Sequence, residues 1–453
     1  MQKQYLHFIT ICLITGSIYA QDSSTYTLRL NQSLVNMPAQ SDLSYHFPSM
    51  QQSTELSNNL YDVSYWGIFA LSNTLTTSLS QKTEGSLLQQ GMYYALGAAF
   101  AYYGSELPIP LGVWNHENFH AAVLGLENIR PYNGNWLLNR WDGTVYGVSD
   151  EDMSALKATA PQKLLYAFVA GVGSETYATS QMVTEDVYYD RSFYKNPLYL
   201  YNAYYVWNYF RFSCSALSDS VKLIAPEYES ADPLQRDFAG ADLSAWVYDM
   251  FTPDAPFTDR DTFPNGTGVN RRIGFSDLSP AGQAYLQKQK DFALLNFVNP
   301  AIFMINRINL KNDWYFLPFM DYYPTPYGNS MALHVPAGHK NAQYDIAFRT
   351  YNNRDKTFGG LELAYGKPWT HGSKQFYSKV RASVWSQPES LLYSDEKGKM
   401  GFYCSAESNL ALNDHWMIGL RGGYKSAGWV AGNAYLDATW NGSLQFRYVL
   451  LHK

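Results

Sequence analysis

The spacing of apolar residues changes its period near residue 311. Before that point apolar positions recur with a helical period, and they predict helices over 86–103, 113–126, 161–182 and 199–215. Residues 225–285 are rich in Pro, Asp, Gly and Asn, so we expect long loops with little core there. A last helix is expected over 287–310, interrupted at Pro300.

After residue 311 apolar and polar residues alternate, as they do in β-strands with one buried face. Between the alternating runs stand four turn signals, which are Asn352–Asp355, Asp395–Gly398, Asn413-Asp414 and Asn441-Gly442. Their spacing predicts roughly eight strands in an antiparallel meander, either a barrel or a curled sheet with one wet face. Such strands also suit an outer-membrane barrel, although a soluble sandwich alternates in the same way. The expected fold class is therefore α+β.

The chain has 453 residues, more than one ordinary core accommodates, so we expect separate domains. Residues 1–20 resemble a secretory signal, with Lys3, an apolar run and a small residue, Ala20, before the expected cleavage point. The protein is therefore expected to be exported to the periplasm, the outer membrane or the cell surface. The predicted units that follow are an extended lead-in (21–60), a helical domain (61–310) and a β domain (311–453).

Charge and composition exclude one class of partner. The formal net charge is −6 and no long basic run is present, which argues against nucleic acid. Apart from Cys12 in the predicted signal, the cysteines are Cys214 and Cys404. They fall in different predicted domains, so we expect them to be free.

The segment His116-Glu117-Asn118-Phe119-His120 carries the clearest chemistry. Histidines four residues apart lie on one face of a helix, where both imidazoles can reach one zinc ion. Glu117 follows the first histidine, where it can meet a zinc-bound water without binding the metal itself. The alternative is a half-buried helix with two incidental surface histidines.

A catalytic zinc ion needs a third protein ligand, and Glu175 is the best candidate. It is the only charged residue between Lys163 and Glu185 on an apolar predicted helix, where an unpaired carboxylate is costly to bury. Gly171 and Gly173 in the same helix would let another backbone approach closely. The alternative places Glu175 in solvent on the polar face of its helix.

Other acidic residues compete less well as the third ligand. Glu127 lies two turns beyond His120 on the same helix, or just past its end. The remaining candidates stand at helix ends, where acidic residues have other roles, and they are Asp150, Glu151, Asp152, Glu185 and Asp186.

Residues 86–185, with the motif 116–120 and a glutamate on a later helix, resemble the gluzincin class of zinc metallopeptidases. The resemblance implies zinc as the cofactor, His116, His120 and Glu175 as its ligands, and Glu117 as general base. Such enzymes also use a side chain that stabilises the oxyanion, and Tyr177 and Tyr204 are candidates here.

The expected function is therefore that of an exported zinc metallopeptidase acting on peptides or proteins, with possible outer-membrane association through the β domain. Two alternatives remain open. One is an outer-membrane β protein or scaffold whose metal site is not catalytic. The other is a zinc hydrolase of non-peptide amides or esters, because the same water chemistry serves several substrates.

Overall fold

The chain combines a helical region with a large antiparallel sheet. A computed structural model describes residues 26–37, 48–80, 87–104, 111–134, 145–189, 195–264 and 266–452. The helices precede most of the strands, which confirms the predicted α+β class. The predicted signal over 1–20 lies outside the described residues.

The described part of the chain forms nine α-helices, joined in places by short 3₁₀ helices. They are α1 (Met50–Ser80), α2 (Leu87–Tyr102), α3 (Leu111–Gly125), α4 (Asp150–Thr159), α5 (Pro161–Tyr189), α6 (Asn196–Ser213), α7 (Ala216–Ile224), α8 (Asp242–Phe251) and α9 (Pro280–Phe292). None of these described helices is long and apolar enough to cross a membrane.

Local sequence signals explain where several helices begin. Ser149 caps α4: its hydroxyl accepts the backbone N–H of Asp152, whose carboxylate accepts the N–H of Ser149 in return. Pro161 opens α5, where its missing N–H is not needed. Helix α8 differs from the expectation, because it lies within the segment predicted to be loops with little core, yet its Trp246 is fully buried.

Thirteen strands are described. They are β1 (Tyr26–Met37), β2 (Tyr132–Asn133), β3 (Val145–Tyr146), β4 (Ile308–Asn309), β5 (Trp314–Phe316), β6 (Phe319–Thr325), β7 (Gly328–His339), β8 (Ala342–Asn352), β9 (Thr357–His371), β10 (Lys374–Pro388), β11 (Gly398–Ala411), β12 (Trp416–Lys425) and β13 (Thr439–His452). Strands β2 and β3 pair with each other, and the other eleven form one sheet.

The sheet is mostly a meander, with the order β1-β13-β12-β11-β10-β9-β8-β7-β5-β4 and with β6 also paired to β7. Three of the four predicted turns fall between consecutive strands. The fourth, Asn441-Gly442, lies inside β13 opposite Gly422 and Gly423 of β12. The chain turns earlier, over residues 426–438, so this Asn-Gly pair does not form the expected hairpin.

The predicted lead-in over 21–60 takes part in the fold. Strand β1 pairs with the last strand, β13, and α1 already begins at Met50. The backbone N–H of Ser33 donates to Glu55 at 2.6 Å, and the N–H of Asn31 donates to Asn59 at 2.9 Å. The polar residues of this lead-in therefore join α1 to the edge of the sheet.

The sheet is curled around the helices. Residues of β1 and of every strand from β5 to β13 line a single cavity of about 1010 Å³, together with residues of α1 and α5. If the sheet were flat, it would be roughly 45 Å wide, and its strands could not all border one cavity of this size. One face is thus concave and faces the helices, and the other is convex.

Hydrophobic packing crosses the predicted boundary at residue 310. One buried cluster contains Phe168 of α5 and Trp246 of α8 as well as Tyr322 of β6 and Trp385 of β10. The indole N–H of Trp246 donates to the carbonyl of Thr325 at 3.1 Å. The helical region and the sheet therefore share a core.

A buried ion pair holds the start of α4 against a distant loop. The guanidinium of Arg271 donates to Asp150 at 2.8 Å and to the carbonyl of Val148 at 2.7 Å, and Arg271 is 3% exposed. The N–H of Val269 donates to the other carboxylate oxygen of Asp150 at 3.0 Å. Asp150 thus supports both a buried charge and a buried backbone group.

We expect Asp150→Ala to lower the free energy of unfolding by about 3–5 kcal/mol, because it leaves the Arg271 guanidinium buried without its partner. Chemical denaturation would measure the change. Glu151→Ala is the matched control: the neighbouring side chain is exposed, so its removal should cost less than about 0.5 kcal/mol. Equal effects of the two substitutions would contradict this account.

Candidate metal centre

The segment that carries the two histidines is buried on all sides. Residues 115–124 of α3 are all buried, with His116 4%, Glu117 8% and His120 1% exposed. The alternative of incidental surface histidines is therefore wrong. Polar groups at this depth need specific partners.

His120 is held in one orientation by the neighbouring helix α5. Its Nδ1 lies 2.5 Å from the backbone carbonyl of Ala167, to which it can only donate. This contact places a ring proton on Nδ1, so in the neutral ring the lone pair belongs to Nε2. Nε2 is buried and makes no hydrogen bond within the described chain. Metal-binding histidines are commonly oriented by a backbone carbonyl in this way.

Asp242, the first residue of α8, faces both imidazoles. Its Oδ2 lies 3.2 Å from Nε2 of His116 and 3.4 Å from Nε2 of His120. Burial would raise the pKa of Asp242, but the two imidazoles outweigh it and hold the pKa well below its usual range. The carboxylate therefore stays ionised, as a metal ligand must be.

Glu175 contacts the opposite nitrogen of the first histidine. Its Oε1 lies 3.3 Å from Nδ1 of His116, and its Oε2 accepts a hydrogen bond from the Ser174 hydroxyl at 3.2 Å. Burial alone would lower the pKa of His116, but Glu175 and Asp242 outweigh it and raise the pKa well above its ordinary value. Glu175 is buried, so the alternative that it points to solvent is wrong.

Tyr209 of α6 supports Asp242 from a third helix. Its hydroxyl donates to Oδ2 of Asp242 at 2.9 Å and accepts the backbone N–H of the same residue at 3.2 Å. This pair of contacts fixes the carboxylate at the start of α8. Tyr209 is thus hydrogen-bonded to Asp242, whereas the suggested Tyr204 is 43% exposed.

Two further carboxyl groups lie near the site, and their pKa values are shifted. Burial raises the pKa of Glu117 well above its usual value, with Asp242 and Asp237 adding to the effect and His116 opposing it. Burial also raises the pKa of Asp237, although Arg272 opposes it from 3.9 Å. Additional negative charge is therefore costly at this site, and a bound cation would favour the ionised carboxylates.

Gly171 permits the contact between α3 and α5. A Cβ at this position would collide with ring atoms of both His116 and His120. The predicted close approach is confirmed for Gly171. Gly173 faces elsewhere, since its Cβ would meet the ring of Tyr323 at 3.4 Å, an ordinary contact.

The structure brings together two of the three predicted ligands and adds one that the sequence did not indicate. His116, His120 and Asp242 form a buried group whose ligand atoms lie close enough to hold a metal ion. Glu175, predicted as the third ligand, contacts the other side of His116. The sequence did not indicate Asp242 because the composition of its segment predicts a loop. The apolar residues Leu243, Ala245 and Trp246 directly after it are the signal that could have indicated a buried helix.

Comparisons with known proteins add no relative. No family model matches the chain, and no curated protein or solved structure is detectably similar to it. What can be said of the site therefore rests on its own residues.

We expect Gly171→Ala to destabilise the protein by about 1–3 kcal/mol, because a methyl group there forces the imidazoles or the helix to move. Thermal unfolding would measure the loss, and metal content should fall with it. Gly173→Ala is the control within the same helix. The added methyl has room there, so the change should be less than about 1 kcal/mol. A harmless Gly171→Ala would mean that the two helices are further apart than described.

Proposed function

We propose that the protein is a zinc-dependent hydrolase and, on the resemblance of its motif, a metallopeptidase. The observation that carries the proposal is the convergence of His116 Nε2, His120 Nε2 and Asp242 Oδ2 in a buried site beside Glu117. Three protein ligands with one open position are the usual arrangement of a catalytic zinc ion.

The surrounding contacts support a metal at this position. The hydrogen bond from His120 to Ala167 leaves an unpartnered nitrogen aimed at Asp242. Glu175 lies where it can accept the Nδ1 proton of His116 and so direct the lone pair of Nε2 toward the same point. In this proposal Asp242 is the third ligand and Glu175 positions His116.

The donor set alone does not choose the metal, because two imidazoles and one carboxylate also hold iron(II) in oxygenases. Glu117 favours zinc hydrolysis, since it directly follows the first ligand on a helix. A zinc ion bound here would supply a water of lowered pKa and would polarise a substrate carbonyl. Glu117 would then be placed to take the proton of the attacking water and to give it to the leaving amine.

Metal content distinguishes the two candidates for the third ligand. We expect about one zinc per chain in the purified protein, lost in His116→Ala and Asp242→Ala because each removes a ligand. Glu175→Gln should keep one zinc at saturation and bind it about 10–100-fold more weakly. Elemental analysis with zinc, iron and manganese measured together would check this.

Two other outcomes have a clear meaning. Loss of zinc in Glu175→Gln with retention in Asp242→Ala would restore Glu175 as the ligand. Iron instead of zinc in the wild-type protein would contradict the hydrolase proposal.

Glu117→Gln tests catalysis apart from binding. The amide keeps the size of the side chain but cannot take a proton, so we expect full zinc content and a loss of at least about 100-fold in cleavage rate. New termini in a random decapeptide library, detected by mass spectrometry, would give the rate. Zinc in both proteins with cleavage in neither would rule out the peptidase and favour a non-catalytic metal site or another substrate.

A further inference from the structure

The two faces of the curled sheet differ sharply in polarity. On the concave face, charged side chains pair with each other and with the helices. Arg447 donates to Glu407 at 2.5 Å, Arg349 donates to Glu362 at 2.6 Å, and Arg421 donates to Gln51 of α1. On each strand the residues that alternate with these concave residues point to the convex face.

The strand register assigns the convex face residue by residue. On β10 the convex residues are every second residue from Phe376 to Val384. The residues that pair with them on neighbouring strands lie on the same face, from β7 on one side to β13 on the other. We call these residues the convex band. Its members are Leu333, Val335, Ala337, Tyr344, Ile346, Phe348, Leu361, Leu363, Tyr365, Lys367, Trp369, Phe376, Ser378, Val380, Ala382, Val384, Phe402, Cys404, Ala406, Ser408, Leu410, Ile418, Leu420, Gly422, Tyr424, Trp440, Gly442, Leu444 and Phe446.

Large apolar side chains of the convex band are exposed. Trp440 is 74% exposed, Leu420 66%, Phe348 55% and Val380 52%. Lys367 is the one charged member of the band, and it lies beside Trp369 near one end, from where its long side chain can reach outward. A continuous apolar surface over seven strands is far larger than a soluble monomer ordinarily exposes.

The height of the band suits a bilayer. From Phe376 to Val384 the band covers nine residues of β10. Strands that cross a bilayer at a tilt of about 45° need about 9–11 residues. The strands are long enough, since β9 and β10 have 15 residues each and β11 and β13 have 14.

Aromatic side chains mark both ends of the band. Near the β9–β10 hairpin Trp369 stacks on Phe376 at 4.4 Å, and near the β11–β12 hairpin Trp416 lies 4.6 Å from Tyr448. At the opposite end Tyr424 lies 4.9 Å from Trp440. Most residues between these ends are aliphatic or small, although Tyr344 and Tyr365 pair in the middle of the band. Aromatic residues favour the two interfaces of a bilayer, where one part of the ring system is apolar and another is wet.

We propose that the convex band contacts the acyl chains of a phospholipid bilayer, which the curled sheet spans with the helices on its concave side. The curvature of the sheet favours lipid over a protein partner. A single flat interface reaches only part of a convex surface seven strands wide, whereas lipid surrounds it. This inference is independent of the proposed hydrolase activity.

The free and exposed Cys404 lies within the band, one convex position from its Phe402 end, and provides a native probe. We would attach a nitroxide to it in full-length protein that carries Cys12→Ser and Cys214→Ser, reconstituted in vesicles of phosphatidylethanolamine and phosphatidylglycerol. Collision with oxygen, which concentrates in acyl chains, is compared with collision with water-soluble nickel-EDDA. We expect oxygen accessibility to exceed nickel accessibility several-fold.

Adjacent residues on β10 provide matched controls in protein that lacks all three native cysteines. Ala382→Cys lies on the convex face opposite Cys404 and should behave in the same way. Ser383→Cys faces the cavity and should show no oxygen preference. Greater nickel accessibility at Cys404 and at Ala382→Cys would mean a water-exposed face and overturn the proposal. Exclusion of both reagents would mean a protein interface, such as a second copy of the chain, and would also overturn it.

Discussion

The close contact between α3 and α5 is the constraint on which the candidate site depends. Helix α5 can approach the two imidazoles only because Gly171 lacks a side chain. The same approach places the carbonyl of Ala167 against His120 and the carboxylate of Glu175 against His116. One glycine thus determines both the distance between the helices and the orientation of both rings. The apolar residues around Gly171 then keep the site dry, which strengthens every electrostatic interaction within it.

Local patterns in the sequence predicted the parts of this site that lie on two helices. The four-residue spacing of His116 and His120 has one meaning on a helix, and a lone carboxylate such as Glu175 on an apolar helix needs a partner. Which ring nitrogen of His116 Glu175 contacts depends on three-dimensional packing, and no local pattern in the sequence shows it. Asp242 lies 122 residues beyond His120, in a segment whose Pro, Asp and Gly content predicted loops although it contains a short buried helix.

The same distinction between local and distant interactions holds for the rest of the fold. The alternation of apolar and polar residues after residue 311 predicted a sheet, because such strands have one apolar and one polar face. It could not show that β1 completes the sheet, because the partners of β1 lie far along the chain, in β13 and on α1. Nor could it show that Asn441-Gly442 lies within a strand, since that depends on the glycines facing it in β12.

The long sequence separation within the metal centre links it to the stability of the helical region. His116 and Asp242 lie 126 residues apart, and α6 also contributes through Tyr209. A metal bound to both would act as a cross-link between α3 and α8, and the unfolded chain would not hold this arrangement. Binding to the folded state alone stabilises it by about 4 kcal/mol when the free metal is at 1,000 times its dissociation constant. Without a metal, compensation comes from His116, whose pKa Glu175 and Asp242 raise, and from Arg272 beside Asp237. The same carboxyl groups that favour a bound cation therefore destabilise the metal-free fold.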